Sequence, residues 1–335
     1  MNYSNEQTQK PTARFPRLRL RSWWGPQKTE PRGSTSRYQA SARAVWPNLQ
    51  QLTLPQFQEQ MVGLLRGKIA GSTLVLYASS LRVLSRVVGD IPVASLRAYH
   101  IELFMARRLE EVSGVRVNIE FRALRAMLNR AASYGMVPEN PMAGLRQVRL
   151  PRREPRALSR KEFARLLSVI NRREFRALAI FAVCTAMRAG EIASLRWQDV
   201  EFARGVIHLA NREGFRLKGL RGRDVPLNRR AVSVLKELPR RSERVFVNTR
   251  GKPYTPHTLS VRFKKYVRLA ALPEDIHFHT LRHTGASWMV ERKVPLPYIR
   301  EILGHASITT TMIYAHSTVE HLRQSVRKLD PIISC

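Results

Sequence analysis

His279-Thr280-Leu281-Arg282-His283, followed by Leu303-Gly304-His305 and then by Thr311-Met312-Ile313-Tyr314-Ala315-His316, is the stretch that decides how this chain is read. Tyr314 lies nine residues beyond His305. A phenol placed after histidines and an arginine supplies a nucleophile, proton-transfer groups and a cation. Those are the parts needed to cut a phosphodiester without a metal.

A matching arginine lies upstream. Thr185-Ala186-Met187-Arg188-Ala189-Gly190-Glu191-Ile192, followed by Leu195-Arg196-Trp197-Gln198-Asp199-Val200, reads as the end of a buried helix leading into an amphipathic one. Attack on a phosphodiester builds charge on two non-bridging oxygens, and fixed cations at Arg188 and Arg282 suit that charge. With these motifs in one order, the chain resembles the tyrosine recombinases of the phage-integrase and Xer type over roughly residues 52 to 330.

That resemblance implies a role for each reactive position. Arg188 and Arg282 match the two signature arginines, one in Arg-x-x-Glu and one in His-x-x-Arg. Tyr314 would be the nucleophile, its phenol oxygen displacing the 5′ oxygen to leave a 3′-phosphotyrosyl link. Such a link conserves the phosphodiester energy, so rejoining needs no ATP. The family places a proton-donating lysine on a turn between two strands. Lys218, eight residues before Pro226 in Leu217-Lys218-Gly219-Leu220-Arg221-Gly222-Arg223-Asp224-Val225-Pro226-Leu227, stands at the offset of the usual Lys-x-Gly-Lys-x-Arg-x-Val-Pro-Leu pattern. The pattern departs here, because Gly-Leu follows the lysine and Arg221 replaces the second lysine, which makes Arg221 the rival donor as well as a DNA contact. His279 is expected to accept or relay a proton near the tyrosine, and His305 to hydrogen-bond the scissile phosphate. Glu191 is expected to buttress the arginines, with His283 and His316 supporting or structural. Ala186 stands where a glycine commonly precedes the arginine element, a change that should adjust packing without removing a reactive group.

Histidines also suggest metal, and His277, His279 and His283 lie close together. No carboxylate or cysteine partner falls at ligand spacing, however, and no Walker-type loop is evident, so neither metal nor other cofactor is expected.

The net charge of +33, from 58 basic and 25 acidic residues, requires a polyanionic partner or a large bound counterion population, and nucleic acid is the first candidate. A length of 335 residues suits two domains, and a hydrophobic content of 44% can fill both cores. Cys184 and Cys335 are the two cysteines, which points to a reducing compartment without disulfides. No apolar run is long enough to span a membrane and the N-terminus has no signal-peptide core. The expected location is therefore the cytoplasm, in association with the nucleoid.

Residues 1–51 are basic and rich in proline, serine and glycine. They have the composition of a disordered tail, although their arginines and Trp23-Trp24 also suit a DNA-contacting arm. Periodic apolar positions then predict helices near 53–66, 72–89, 96–110 and 115–134, a bundle over 52–148 matching the helical, SAM-like core-binding domain of the family. A basic linker follows at 149–157, where Arg152 and Arg153 would suit passing DNA. The catalytic domain, 158–330, opens on Ser159 and Glu162, a capping box, and continues through a central buried helix around 177–184. Strands are expected at Val206–Leu209, Arg223–Leu227 and Val245–Val247, with helices near 229–238 and after Thr255-Pro256. The expected architecture is mainly α with a small antiparallel β-sheet, in two domains: a helical core-binding domain and an α/β catalytic domain. A tail helix would run over Thr318–Asp330, with Val319, Leu322 and Val326 on one stripe.

The resulting expectation is a site-specific DNA recombinase that works on double-stranded DNA as a homotetramer through a Holliday junction. The resemblance implies that the C-terminal tail docks on a neighbouring protomer, with packing on its own domain as the alternative, and that an accessory directionality factor could act with them. Two alternatives share parts of this sequence: a type IB topoisomerase, against which the recombinase-like form of Leu303 to Tyr314 argues, and a DNA-binding regulator without catalysis.

Overall fold

The computed structural model describes residues 51–151, 155–212, 215, 217 and 222–314. The N-terminal arm, Arg152, Arg153, Lys218, Arg221 and the tail with His316 lie outside the described residues. The chain divides into two compact units, Met1–Pro151 and Arg152–Cys335.

Four helices build the first unit: α1 (Leu54–Leu65), α2 (Gly71–Val88), α3 (Ala98–Glu111) and α4 (Gly114–Ser133). Each buries one stripe at spacings of three and four. Leu54, Phe57, Met61 and Leu65 of α1 meet Leu81 and Leu84 of α2 and Phe121, Leu124 and Leu128 of α4 in a single core. Glu120 also points inward from α4, where an unpaired carboxylate would be costly. Arg108 of α3 donates to it at 2.8 Å and Arg116 at 2.7 Å. Burial would raise this carboxyl, but the two guanidiniums outweigh it and hold the group below its ordinary range. After Pro141 the chain returns along α4, where the Asn118 side chain donates to the Val148 carbonyl and accepts from its N–H, both at 2.9 Å.

The second unit opens with α5 (Arg160–Val169), whose capping box is formed by Ser159 and Glu162. Helix α6 (Arg173–Thr185) runs through the middle of the core, with Phe175, Leu178 and Phe181 fully buried. It packs against α8 (Arg229–Glu237) and α10 (Phe278–Glu291). Contact with α10 is close enough that a Cβ on Gly285 would stand 2.4 Å from the Val183 carbonyl oxygen. Helix α9 (Pro256–Leu269) starts at Thr255, whose hydroxyl accepts from the Thr258 N–H, and buries Leu259, Phe263 and Tyr266. Short helices α7 (Ala189–Ser194) and α11 (Leu296–Leu303) complete the unit, followed by 3-10 turns at Ile308–Thr310 and Met312–Tyr314.

The sheet has three antiparallel strands in sequential order: β1 (Val200–Glu201), β2 (Val206–Leu209) and β3 (Arg223–Pro226). Ile207 faces Val225 in the ladder, and both are buried. Two expectations are corrected here. Leu195 to Val200 is not an amphipathic helix: Trp197–Asp199 form one 3-10 turn, after which the chain pairs with β2. Asp199 caps the start of that turn by accepting from the Arg196 N–H at 2.9 Å and is held by Arg212 at 2.7 Å, and Val200 after it is already extended. Val245–Val247 does not join the sheet either. The Val245 N–H donates to the Leu195 carbonyl, Val247 stands in an isolated bridge to Pro253, and Phe246 is turned into the core against Phe181.

Candidate active site

Ala186 ends α6 in the left-handed region, with φ 49° and ψ 27°. An alanine there costs on the order of 1 kcal/mol relative to glycine. That turn aims the Ala186 carbonyl at Arg282, whose Nη1 donates to it at 2.8 Å, and sets Arg188 two residues later as the N-cap of α7.

The two guanidiniums meet at the end of α11. Arg282 Nη2 donates to the Leu303 carbonyl at 2.8 Å and Arg188 Nη2 to the Gly304 carbonyl at 3.0 Å. The last carbonyls of a helix have no partners within it and carry the negative end of its dipole, so cations settle there. Gly304 takes φ 62°, and a Cβ on it would fall 2.8 Å from Cδ and Nε of Arg223. Residues 186, 282 and 303–304, far apart in sequence, are thus joined through one pair of arginines.

Glu191 lies beneath them, 3% exposed. It accepts from Arg223 Nη1 at 2.9 Å and Nη2 at 2.8 Å, from Arg188 Nη1 at 3.0 Å, and from the Arg188 N–H at 2.8 Å. Burial works to raise this carboxyl, yet Arg223 first and then Arg188 hold it low. It stays ionised, and among these described groups three guanidiniums face one carboxylate. The excess positive charge is set to receive an anion. Arg282 itself, only 2% exposed, is pulled down to about 10, by burial first and then by the Arg188 charge.

The remaining side chains form a row beside the arginines. His305 Nδ1 lies 2.9 Å from the hydroxyl of fully buried Thr311. Tyr314 is 4% exposed; its N–H donates to the Thr311 carbonyl and its phenol oxygen lies 2.6 Å from His283 Nδ1. Burial raises the phenol above its ordinary value. His279 sits one turn earlier on α10, more exposed than His283, with its ring edge-on to His283 at 4.8 Å between centroids. No hydrogen bond joins it to Tyr314 among the described residues. Desolvation, followed by neighbouring positive groups with Arg282 among them, pushes His279, His283 and His305 down to about 4. All three are neutral at neutral pH.

Of the residues singled out in the sequence, Arg188, Glu191, Arg282, His305, His283 and Tyr314 come together, with His279 at the rim. Three features were not anticipated. Arg223 is the second support of Glu191; it stands inside the Lys218 to Leu227 pattern, and its pairing with Leu209 across the sheet sets its direction. Thr311 links His305 to Tyr314, a role hinted at only by its position three residues before the tyrosine. His283, not His279, contacts the phenol; four residues of helix separate them, enough to give both one face and only one of them the contact.

A model of the phage integrase family matches residues 156–321. Tyrosine recombinase XerC of Xylella fastidiosa (strain 9a5c) is 30% identical over 247 residues, covering 71% of this chain and 81% of the relative. A Tn1549 transposon integrase in complex with a circular intermediate DNA matches with a TM-score of 0.71 at 18% identity, over 83% of this chain and 100% of that one. A lambda integrase tetramer bound to a Holliday junction matches at 0.66 and 19% identity, over 80% of this chain and 81% of that one. Sequence and fold converge, and the chain belongs to the tyrosine recombinase family of phage-integrase type, as a tyrosine-type site-specific recombinase.

Proposed function

We propose that this recombinase cleaves and rejoins duplex DNA through a 3′-phosphotyrosyl intermediate on Tyr314, with charge stabilisation from arginines and no need for ATP. The observation that carries the reading is the anchoring of Arg188 and Arg282 on the consecutive carbonyls of Leu303 and Gly304, next to His305. Two guanidiniums held this way need not reorganise when a phosphate's non-bridging oxygens gain charge. His305, its Nδ1 occupied by Thr311, has Nε2 left for a phosphate oxygen. Glu191 and Arg223 keep Arg188 in place without touching DNA. Lys218 protonates the leaving 5′ oxygen, with Arg221 as the rival.

The first unit is the core-binding domain in this reading, and the basic linker with Arg152 and Arg153 follows the DNA backbone. Four protomers synapse two sites and pass through a Holliday junction, a reading supported by the lambda integrase tetramer bound to such a junction. The tail beyond Tyr314 is the candidate for exchange between protomers, and an accessory factor would set direction. Integration, excision or resolution of a DNA element is the task that such an enzyme performs, in the cytoplasm on nucleoid DNA. Among the described residues no helix is long and apolar enough to cross a membrane.

The decisive experiment uses a nicked suicide duplex built on the DNA that the protein protects from nuclease. Tyr314→Phe should bind it normally and form no covalent adduct. An adduct surviving the change would move the nucleophile elsewhere, with exposed Tyr298 next in line. Lys218→Ala should recover on a 5′-bridging phosphorothiolate, whose sulfur leaves without protonation, and equal impairment on both substrates would remove Lys218 from the role.

A further inference from the structure

We propose that His283, rather than His279, takes the Tyr314 proton during cleavage and returns it on rejoining. This deepens the reading of Tyr314 as nucleophile and rests on it.

Contact comes first. His283 Nδ1 lies 2.6 Å from the phenol oxygen, within the short range of O–H donors, while His279 stands one turn away, more exposed and with no such contact among the described residues. The phenol is buried, and His283 is the polar side chain bonded to it among the described residues. A proton leaving Tyr314 therefore has its acceptor already in place. For Nδ1 to accept, the ring must carry its proton on Nε2.

Protonation states agree with that direction. Burial first, then Arg282 and His277, hold His283 neutral at about 4, so its lone pair is free at neutral pH. Transfer from a phenol raised by burial to so weak a base is uphill in the free protein. An incoming phosphate adds negative charge beside the ring and favours the imidazolium. Base strength thus arrives with the substrate, and the empty site keeps its nucleophile protonated.

The atoms balance. The phenol proton passes to His283 Nδ1, the phenol oxygen bonds to phosphorus, and the bond from phosphorus to the 5′ oxygen breaks, with that oxygen taking its proton from the general acid. On rejoining, the 5′ hydroxyl returns its proton to the general acid as its oxygen bonds to phosphorus, the bond from phosphorus to the tyrosyl oxygen breaks, and His283 gives its proton back to that oxygen.

Asparagine is the informative substitution, because its amide oxygen can occupy the place of Nδ1 and accept from the phenol yet cannot hold a proton. His283→Asn should bind the suicide duplex with wild-type affinity and cleave it about 100-fold more slowly at pH 7. Its rate should climb with pH where the wild type is flat, as hydroxide replaces the missing base. Added imidazole should restore part of the rate to His283→Ala. His279→Asn should lose less than tenfold and keep the wild-type profile. Three results would overturn the proposal: His283→Asn within threefold of wild type, a loss equal at every pH with no imidazole rescue, or the climbing profile in His279→Asn instead. A test without substitution uses nitrogen NMR on the histidine-labelled full chain, where His283 should be the neutral tautomer with Nε2 protonated; a proton on Nδ1 would also overturn it. An adduct in Tyr314→Phe would instead sink the nucleophile assignment, so the two failures are distinct.

Discussion

Replacing Gly304 by alanine tests the support of the arginine pair directly. Two costs add. At φ 62° an alanine sits in the left-handed region, at about 1 to 2 kcal/mol relative to glycine. Its Cβ would also stand 2.8 Å from Cδ and Nε of Arg223, which is not free to swing aside. That guanidinium is bonded to both oxygens of Glu191 and, through Nε at 3.2 Å, to the Ile302 carbonyl. Giving up one such charged hydrogen bond costs about 1.5 to 3 kcal/mol, for a total of about 2.5 to 5 kcal/mol. In a unit of this size the melting temperature should fall by on the order of 10 °C, measured by calorimetry. Gly251→Ala is the control. Gly251 has φ 73° and nothing within 4 Å of its would-be Cβ, so only the backbone cost of about 1 to 2 kcal/mol applies. In an Arg223→Ala background the Gly304→Ala cost should shrink to that of Gly251→Ala. Equal melting for the two single glycine variants, or no coupling to Arg223, would refute the reasoning.

Three further outcomes follow from the buried and clamped ionisable groups. Glu120→Gln should destabilise the first unit by about 3 kcal/mol in urea titrations, since Arg108 and Arg116 lose their shared partner. Its folded pKa is depressed, so the contribution is present above the unfolded value and lost as pH falls through the folded one; a difference that persists unchanged into strong acid would contradict this. His279, His283 and His305, at about 4 against 6.5, leave the native state holding fewer protons than the unfolded chain between those values. Stability should therefore fall as pH drops through that window, and DNA binding near pH 5 should take up protons, seen as buffer-dependent heats in calorimetry; buffer-independent heats would count against it. His208 is the opposite case: Glu201 at 2.9 Å and Asp224 at 2.8 Å bond both ring nitrogens, which raises it. Its contribution is present below 6.5 and lost as pH rises through the folded value, so an NMR midpoint at or below 6.5 would exclude the clamp.

What the sequence determined was whatever depends on near neighbours along the chain. Stripes such as Phe121, Leu124 and Leu128 marked the helices, and Ser159 with Glu162 marked a helix start, because side-chain period and capping are set within one or two turns. Resemblance to the family's motifs, carried by their order and spacing, also singled out Arg188, Arg282, His305 and Tyr314. Tertiary structure decided where a residue's partner lay far along the chain. Val200-Glu201 is too short to read as a strand and becomes one only by pairing with β2, whereas Val245–Val247, with strand-like composition, gives the Val245 N–H to Leu195 and stands in an isolated bridge to Pro253 carried by the Asn248 N–H on the Lys252 carbonyl. Arg223 found Glu191 across 32 residues, and Tyr314 found His283 across 31. Local periodicity says which face of a helix or strand turns inward, but which atom meets which on that face depends on how separate segments pack, and here that packing put the phenol on His283 and the two arginines on neighbouring carbonyls.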